Sequence, residues 1–215
     1  MNALTTFHLL TFLYWGLLLS ATIGSLVFAV LAAKLHRQPF AIASAGALAG
    51  ALFIAAIPAQ SGPGAFGVLL GMLALALAVV GGGPVAVLAL NLATKNSVPP
   101  GAHGGILIFA APPAAPPARN DQAASNDDLA VPAPERPVQE VLRGGLAIGV
   151  LERLAVAGAI LAGFPEAIAI VVAVKGVGRF TELAAAESRE RFIIGTLASL
   201  IWACACAALA AIAIG

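Results

Sequence analysis

Three ionisable side chains, Glu152, Arg153 and Lys175, stand inside the stretch GVLERLAVAGAILAGFPEAIAIVVAVKGVGRF (residues 149–180), which otherwise reads as two apolar helices joined at Gly163-Phe164-Pro165. An acid beside two bases in an apolar setting has two chemistries open to it. The charges neutralise one another and pin helices together, or they relay protons or small ions along a polar path. Glu152 precedes Gly163 by eleven residues and Lys175 follows Pro165 by ten, so at about 1.5 Å per residue both stand roughly 15–17 Å from the shared turn. In an antiparallel hairpin they are level and able to pair. Arg153 points about 100° away around the helix and needs something else: a carbonyl freed at Gly81-Gly82-Gly83-Pro84, the hydroxyl of Thr196 or Ser199, or a water-filled cavity. One positive charge is left over, which suits an anionic ligand, a lipid headgroup or a partner carboxylate.

Other chemistry is sparse. His8, His36 and His103 are scattered and give no metal-ligand spacing, so neither a metal nor a cofactor is expected. Cys204 and Cys206 lie two apart and point to different faces of a helix, as packing residues do. There is no nucleophile elbow, phosphate-binding loop, dinucleotide fingerprint or HExxH motif, and enzyme activity is not expected. Glu166, directly after Pro165, fits a helix N-terminus, while Glu182, Glu187, Arg189, Glu190 and Arg191 read as a solvated charge run.

The elements that position these residues are membrane helices. Of 215 residues, 60% are hydrophobic and only 10% charged, far from the balance of a soluble domain, and the net charge of +1 with scattered basic residues excludes nucleic acid as a partner. Apolar runs at about 7–33, 39–58, 65–92, 141–163, 165–183 and 191–214 approach or exceed the roughly 20 residues needed to cross a bilayer, and they do not alternate as barrel strands would. The expected fold is an all-α polytopic transmembrane bundle of about six helices, three plus three. Residues 1–95 form an N-terminal three-helix unit, 96–136 a Pro/Ala-rich flexible linker, and 137–215 a C-terminal three-helix unit. Gly81-Gly82-Gly83-Pro84 is expected to end, kink or divide the third helix.

With the N-terminus outside, Lys34, Arg37, Lys95, Arg119, Arg136, Arg143, Arg179, Arg189 and Arg191 all fall in cytoplasmic segments. The expected location is therefore a bacterial inner membrane, multi-pass, with both termini outside and the linker cytoplasmic. Small residues recur at four-residue spacing as Gly16, Ser20 and Gly24, Gly46 and Gly50, Gly67 and Gly71, and Gly145 and Gly149, the pattern of close helix packing in lipid. Expected partners are the lipid bilayer and a second copy of the chain or other membrane proteins.

The string GGLAIGVLERLAVAGAILAGFPEAIAIVVAVKGVGRFTEL, followed by ESRERFIIGTLASLIWA, resembles the C-terminal module of a family of uncharacterised bacterial integral membrane proteins, here in an actinobacterial-type variant. The resemblance covers about residues 144–202 and falls on Gly145, Ile148, Gly149, Leu151, Glu152, Arg153, Lys175, Arg179, Phe180, Glu182, Ile194, Gly195, Thr196 and Ser199. It implies no activity. It implies that these residues act as a set; by their positions near the cytoplasmic ends of the fifth and sixth helices, Arg179, Glu182, Thr196 and Ser199 are expected to form a polar extension of the Glu152–Arg153–Lys175 cluster. The functional expectation is a non-enzymatic component of a membrane complex, with a small-ion or small-solute transporter or channel using Glu152, Arg153 and Lys175 as the alternative.

Overall fold

The computed structural model of the chain describes residues 3–57, 64–94, 106–109, 138–141, 145–178 and 186–215. Within them the apolar runs form α1 (Ala3–Leu35), α2 (Gln38–Ala55), α3 (Gly64–Thr94), α4 (Gly145–Leu161), α5 (Ala167–Gly178) and α6 (Ala186–Ile214). The fold is an all-α bundle. Two four-residue strands, β1 (Ile106–Phe109) and β2 (Val138–Val141), add a short antiparallel ladder in which Ile106 faces Val141 and Phe109 faces Val138.

Local chemistry sets the helix ends. Between α1 and α2 the chain reverses at His36, whose φ of 52° is the left-handed value, and Pro39 then occupies the first turn of α2, where its missing N–H costs no helical bond. At the end of α4, Gly163 takes φ 75°, the Gly163 N–H donates to the Ile160 carbonyl and the Phe164 N–H to the Ala159 carbonyl. That pair of bonds is a Schellman closure, in which a glycine accepts the left-handed conformation without a Cβ penalty. Glu166 is exposed in the turn immediately before α5.

The third helix is neither ended nor divided at the glycine run. α3 continues through Gly81-Gly82-Gly83-Pro84 to Thr94, with Pro84 inside it. Pro84 forfeits the bond that the Val80 carbonyl would otherwise receive, a loss membrane helices tolerate when neighbouring helices supply polar groups.

Contacts along the bundle fix helix directions. α6 packs most extensively against α3 and runs antiparallel to it, since Ile214 lies against Gly67, Trp202 against Gly81 and Leu90 against Gly195. α1 runs parallel to α3, its Phe12 and Trp15 rings meeting Phe66 with centroids 6.1 and 6.2 Å apart. Consequently Lys34, Arg37, Arg189 and Arg191 collect at one end of the bundle; among the described side chains no Lys or Arg stands at the other. One apolar core draws on α1, α2, α3, α4 and α6, through residues such as Leu18, Leu48, Leu77, Val156 and Leu209.

Among the described residues four helices, α1, α2, α3 and α6, are long and apolar enough to cross a membrane. Six crossings were expected. α4, at 17 residues, carries Glu152 and Arg153 in its middle, and α5 has only 12 described residues, about 18 Å of helix. Large apolar side chains face outward from the four long helices, Phe53 at 74%, Val68 at 66% and Leu92 at 73% exposure among them. A surface so apolar is matched to lipid rather than water, and the protein is a membrane protein.

Candidate functional site

Helix geometry delivers Glu152 and Lys175 to the same level of the α4–α5 hairpin, and Lys175 Nζ donates to Glu152 Oε2 as an ion pair. The Lys175 ammonium also stands 5.5 Å from the centre of the Phe192 ring on α6, a cation–π placement that ties α5 to the bundle. Glu152 is 8% exposed, and its second oxygen, Oε1, is buried without a hydrogen-bond partner among the described residues.

Arg153 has a different solution. It is 6% exposed and reaches away from the hairpin into the seam between α3 and α6. Its Nε donates to the Val79 carbonyl at 2.9 Å and one terminal nitrogen donates to Ser199 Oγ at 3.2 Å. Backbone carbonyls that already carry helical bonds keep a second lone pair, so α3 accepts this donor without unwinding. The acceptors are neutral, and the nearest carboxylate, Glu152, is committed to Lys175.

The glycine run makes this contact sterically possible. A Cβ placed on Gly82 would stand 2.1 Å from Arg153 Cδ and 3.3 Å from Ser199 Oγ; one on Gly81 would stand 2.5 Å from the Trp202 ring. Gly82 is thus a notch for the arginine stem and Gly81 a notch for the indole, whose Nε1 donates to the Leu77 carbonyl at 3.0 Å. Gly149, one turn before Arg153 on α4, leaves room for the guanidinium in the same way, its hypothetical Cβ lying 3.0 Å from a terminal nitrogen.

Beyond the guanidinium, towards the basic end of the bundle, lies a cleft of about 190 Å³. Arg153, Lys175 and Arg191 line it from three helices, together with the hydroxyl residues Thr196 and Ser199. Arg191 corrects the reading of a solvated charge run. Arg189 and Glu190 are exposed, but Arg191 is 8% exposed and turned inward, because α6 already begins at Ala186 and its helical phase places residue 191 on the inner face. Arg179 and Glu182 lie outside the described residues.

The nine small-residue positions divide. Gly67 meets Ile214, with 3.3 Å from its hypothetical Cβ, so it serves the α3–α6 crossing. Gly145 and Gly149 line the cleft rather than a helix seam. At Gly16, Gly24, Gly46, Gly50 and Gly71 no atom of the neighbouring helices stands within 4 Å of where a Cβ would be. Ser20 is exposed and donates locally to the Leu17 carbonyl. The α1–α2 seam is built instead from Ser25 and Ser44, each hydroxyl donating to the other residue's carbonyl at 2.9 Å. Spacing identifies residues that share a face; it does not say what stands opposite that face.

Across Glu152, Arg153, Lys175 and Ser199 the arrangement supports ion pairing and anion attraction. Among the described residues no group of His, Cys, Asp and Glu is placed to hold a metal. No family model, no curated protein and no solved structure matches the chain.

Proposed function

We propose that this protein is a non-enzymatic component of a membrane assembly, meeting a second copy or another membrane protein through the outer faces of α1 and α2. One observation carries the reading: the small residues at Gly16, Ser20, Gly46 and Gly50 are exposed, with space at the glycines where another helix backbone would fit. The intramolecular crossing of the same two helices uses other residues, Ser25 and Ser44. The gathering of Lys34, Arg37, Arg189 and Arg191 at one end supports both termini outside and that end cytoplasmic.

The test is crosslinking in native membranes. A complex that contains the full-length chain should disappear on Gly16→Leu or Gly46→Leu while the monomer remains folded. An unchanged complex in both variants contradicts the reading.

A second reading, solute handling, is favoured by the cleft that reaches Arg153 and Lys175. Leu77, Ala78, Val156 and Ala157, all without exposure, close the bundle on the far side of it, so the cleft is one-ended. Transport through it would require these layers to part. In liposomes, Glu152→Gln should then abolish flux of the solute without loss of folded protein, and flux equal to wild type excludes the reading.

A further inference from the structure

We infer that the C-terminal half of α5 is a movable strap, pivoting at the Gly163-Phe164-Pro165 turn and clasped over the cleft by the Glu152–Lys175 pair. α5 buries none of its residues, whereas α1, α2, α3, α4 and α6 each send side chains into the core. Its half-buried positions, Ala167, Ile168, Val171 and Lys175, fall along one narrow stripe at helical spacing. Ile168 and Val171, in the half nearer the turn, pack against the core. Beyond them, from Val172 to Gly178, every residue except Lys175 is exposed.

Apolar side chains gain little by leaving lipid for one another, so a membrane helix stays docked through close packing or through polar bonds. Close packing is missing in this half of α5. A Cβ on Gly176 or Gly178 would meet no atom within 4 Å, and Val174 and Val177 are 67% and 79% exposed. The polar contacts that remain are those of Lys175, whose ammonium donates to Glu152 on α4 and stands over the Phe192 ring on α6. Lys175 lines the cleft beside Phe192, so the clasp is also a wall, and moving it away opens the cleft on its α5 side.

The turn at the other end of α5 has the properties of a pivot. Residues 162–166 are all exposed, so nothing wedges the turn in place. Gly163 holds φ 75°, a value that glycine leaves and re-enters without a Cβ penalty. With both partners charged, opening strands an acid and a base in an apolar setting, and the strap rests shut. Neutralising either partner removes that penalty and the bond together.

Distances between spin labels on the full-length chain in lipid nanodiscs test the strap, with Cys204→Ala and Cys206→Ala clearing the native thiols. One label replaces Leu197 on α6 and the other Val177 or Ile170 on α5, all three being exposed. With the pair intact, both α5 positions should give one narrow distance. In Lys175→Met, and separately in Glu152→Gln, the Val177 distance should lengthen or broaden by about 5 Å, one helical pitch, and the Ile170 distance by less, because it lies nearer the pivot. Lys175→Arg keeps the charge and should match the intact pair. Alkylation of Thr196→Cys, on the cleft wall, by a lipid-soluble maleimide should be several-fold faster in Lys175→Met. A Val177 distance unchanged in both neutral variants, equal shifts at Ile170 and Val177, a Lys175→Arg distance as broad as that of Lys175→Met, or an unchanged alkylation rate overturns the inference.

Discussion

Two of the seams in this bundle use opposite chemistry. Between α1 and α2, Ser25 and Ser44 exchange hydroxyl-to-carbonyl bonds at 2.9 Å, wholly buried and wholly neutral. Where α4 meets α3, α5 and α6, a guanidinium and a carboxylate are buried and an ammonium is half-buried beside them. A serine that loses its partner falls back on its own helix, as Thr22 and Ser20 do by donating to Leu18 and Leu17. An arginine has no such retreat. The neutral seam is therefore replaceable and the charged one is not.

The largest effect expected from breaking this contrast is at Glu152. Glu152→Ala strands Lys175 and removes the negative charge next to Arg153, a loss of about 3–5 kcal/mol of the kind that removal of one member of a buried ion pair gives. Reversible unfolding of the reconstituted protein measures it, and a change below about 1 kcal/mol would mean the pair is solvated. Trp202→Phe comes next. It deletes the bond to the Leu77 carbonyl while keeping an aromatic ring in the Gly81 notch, and should cost about 0.5–1.5 kcal/mol in the same assay. Smallest is Ser44→Ala, which removes one of the two reciprocal bonds and should cost about 0.6 kcal/mol, the average for hydrogen bonds between membrane helices. If Ser44→Ala proved as damaging as Glu152→Ala, the distinction between the seams would fail.

Parts of this were legible in the chain. The equal depth of Glu152 and Lys175 follows from a constant helical rise and a turn marked by Gly163 and Pro165, both of which are local. Arg153 was expected to take a carbonyl freed at Gly81-Gly82-Gly83-Pro84, the hydroxyl of Thr196 or Ser199, or a water-filled cavity; it takes Ser199 and the carbonyl of Val79, two residues before the run. What local signals misjudged is the purpose of that run. Gly81-Gly82-Gly83-Pro84 read as a place to end, kink or divide the helix, whereas α3 runs on through it and side chains of α4 and α6 occupy the space the missing Cβ atoms leave at Gly81 and Gly82. That depends on residues 70 and more positions away in the chain, and no spacing rule reports it. The Ser25–Ser44 clasp was silent for a related reason: a serine in an Ala-rich helix carries no phase until the opposing helix is known. Arg191 was hidden by its neighbours, because a run of charges looks solvated until the start of α6 settles which of them turns inward.

The central claim is that Gly82 exists to admit Arg153, and a double-mutant cycle tests it most directly. Gly82→Ala in the wild-type chain should cost about 1–3 kcal/mol, since the new methyl meets Arg153 Cδ inside contact distance. In an Arg153→Ala background the same substitution should cost nothing, or stabilise by up to about 1 kcal/mol through the better helix propensity of alanine. An equal cost in both backgrounds would contradict the account.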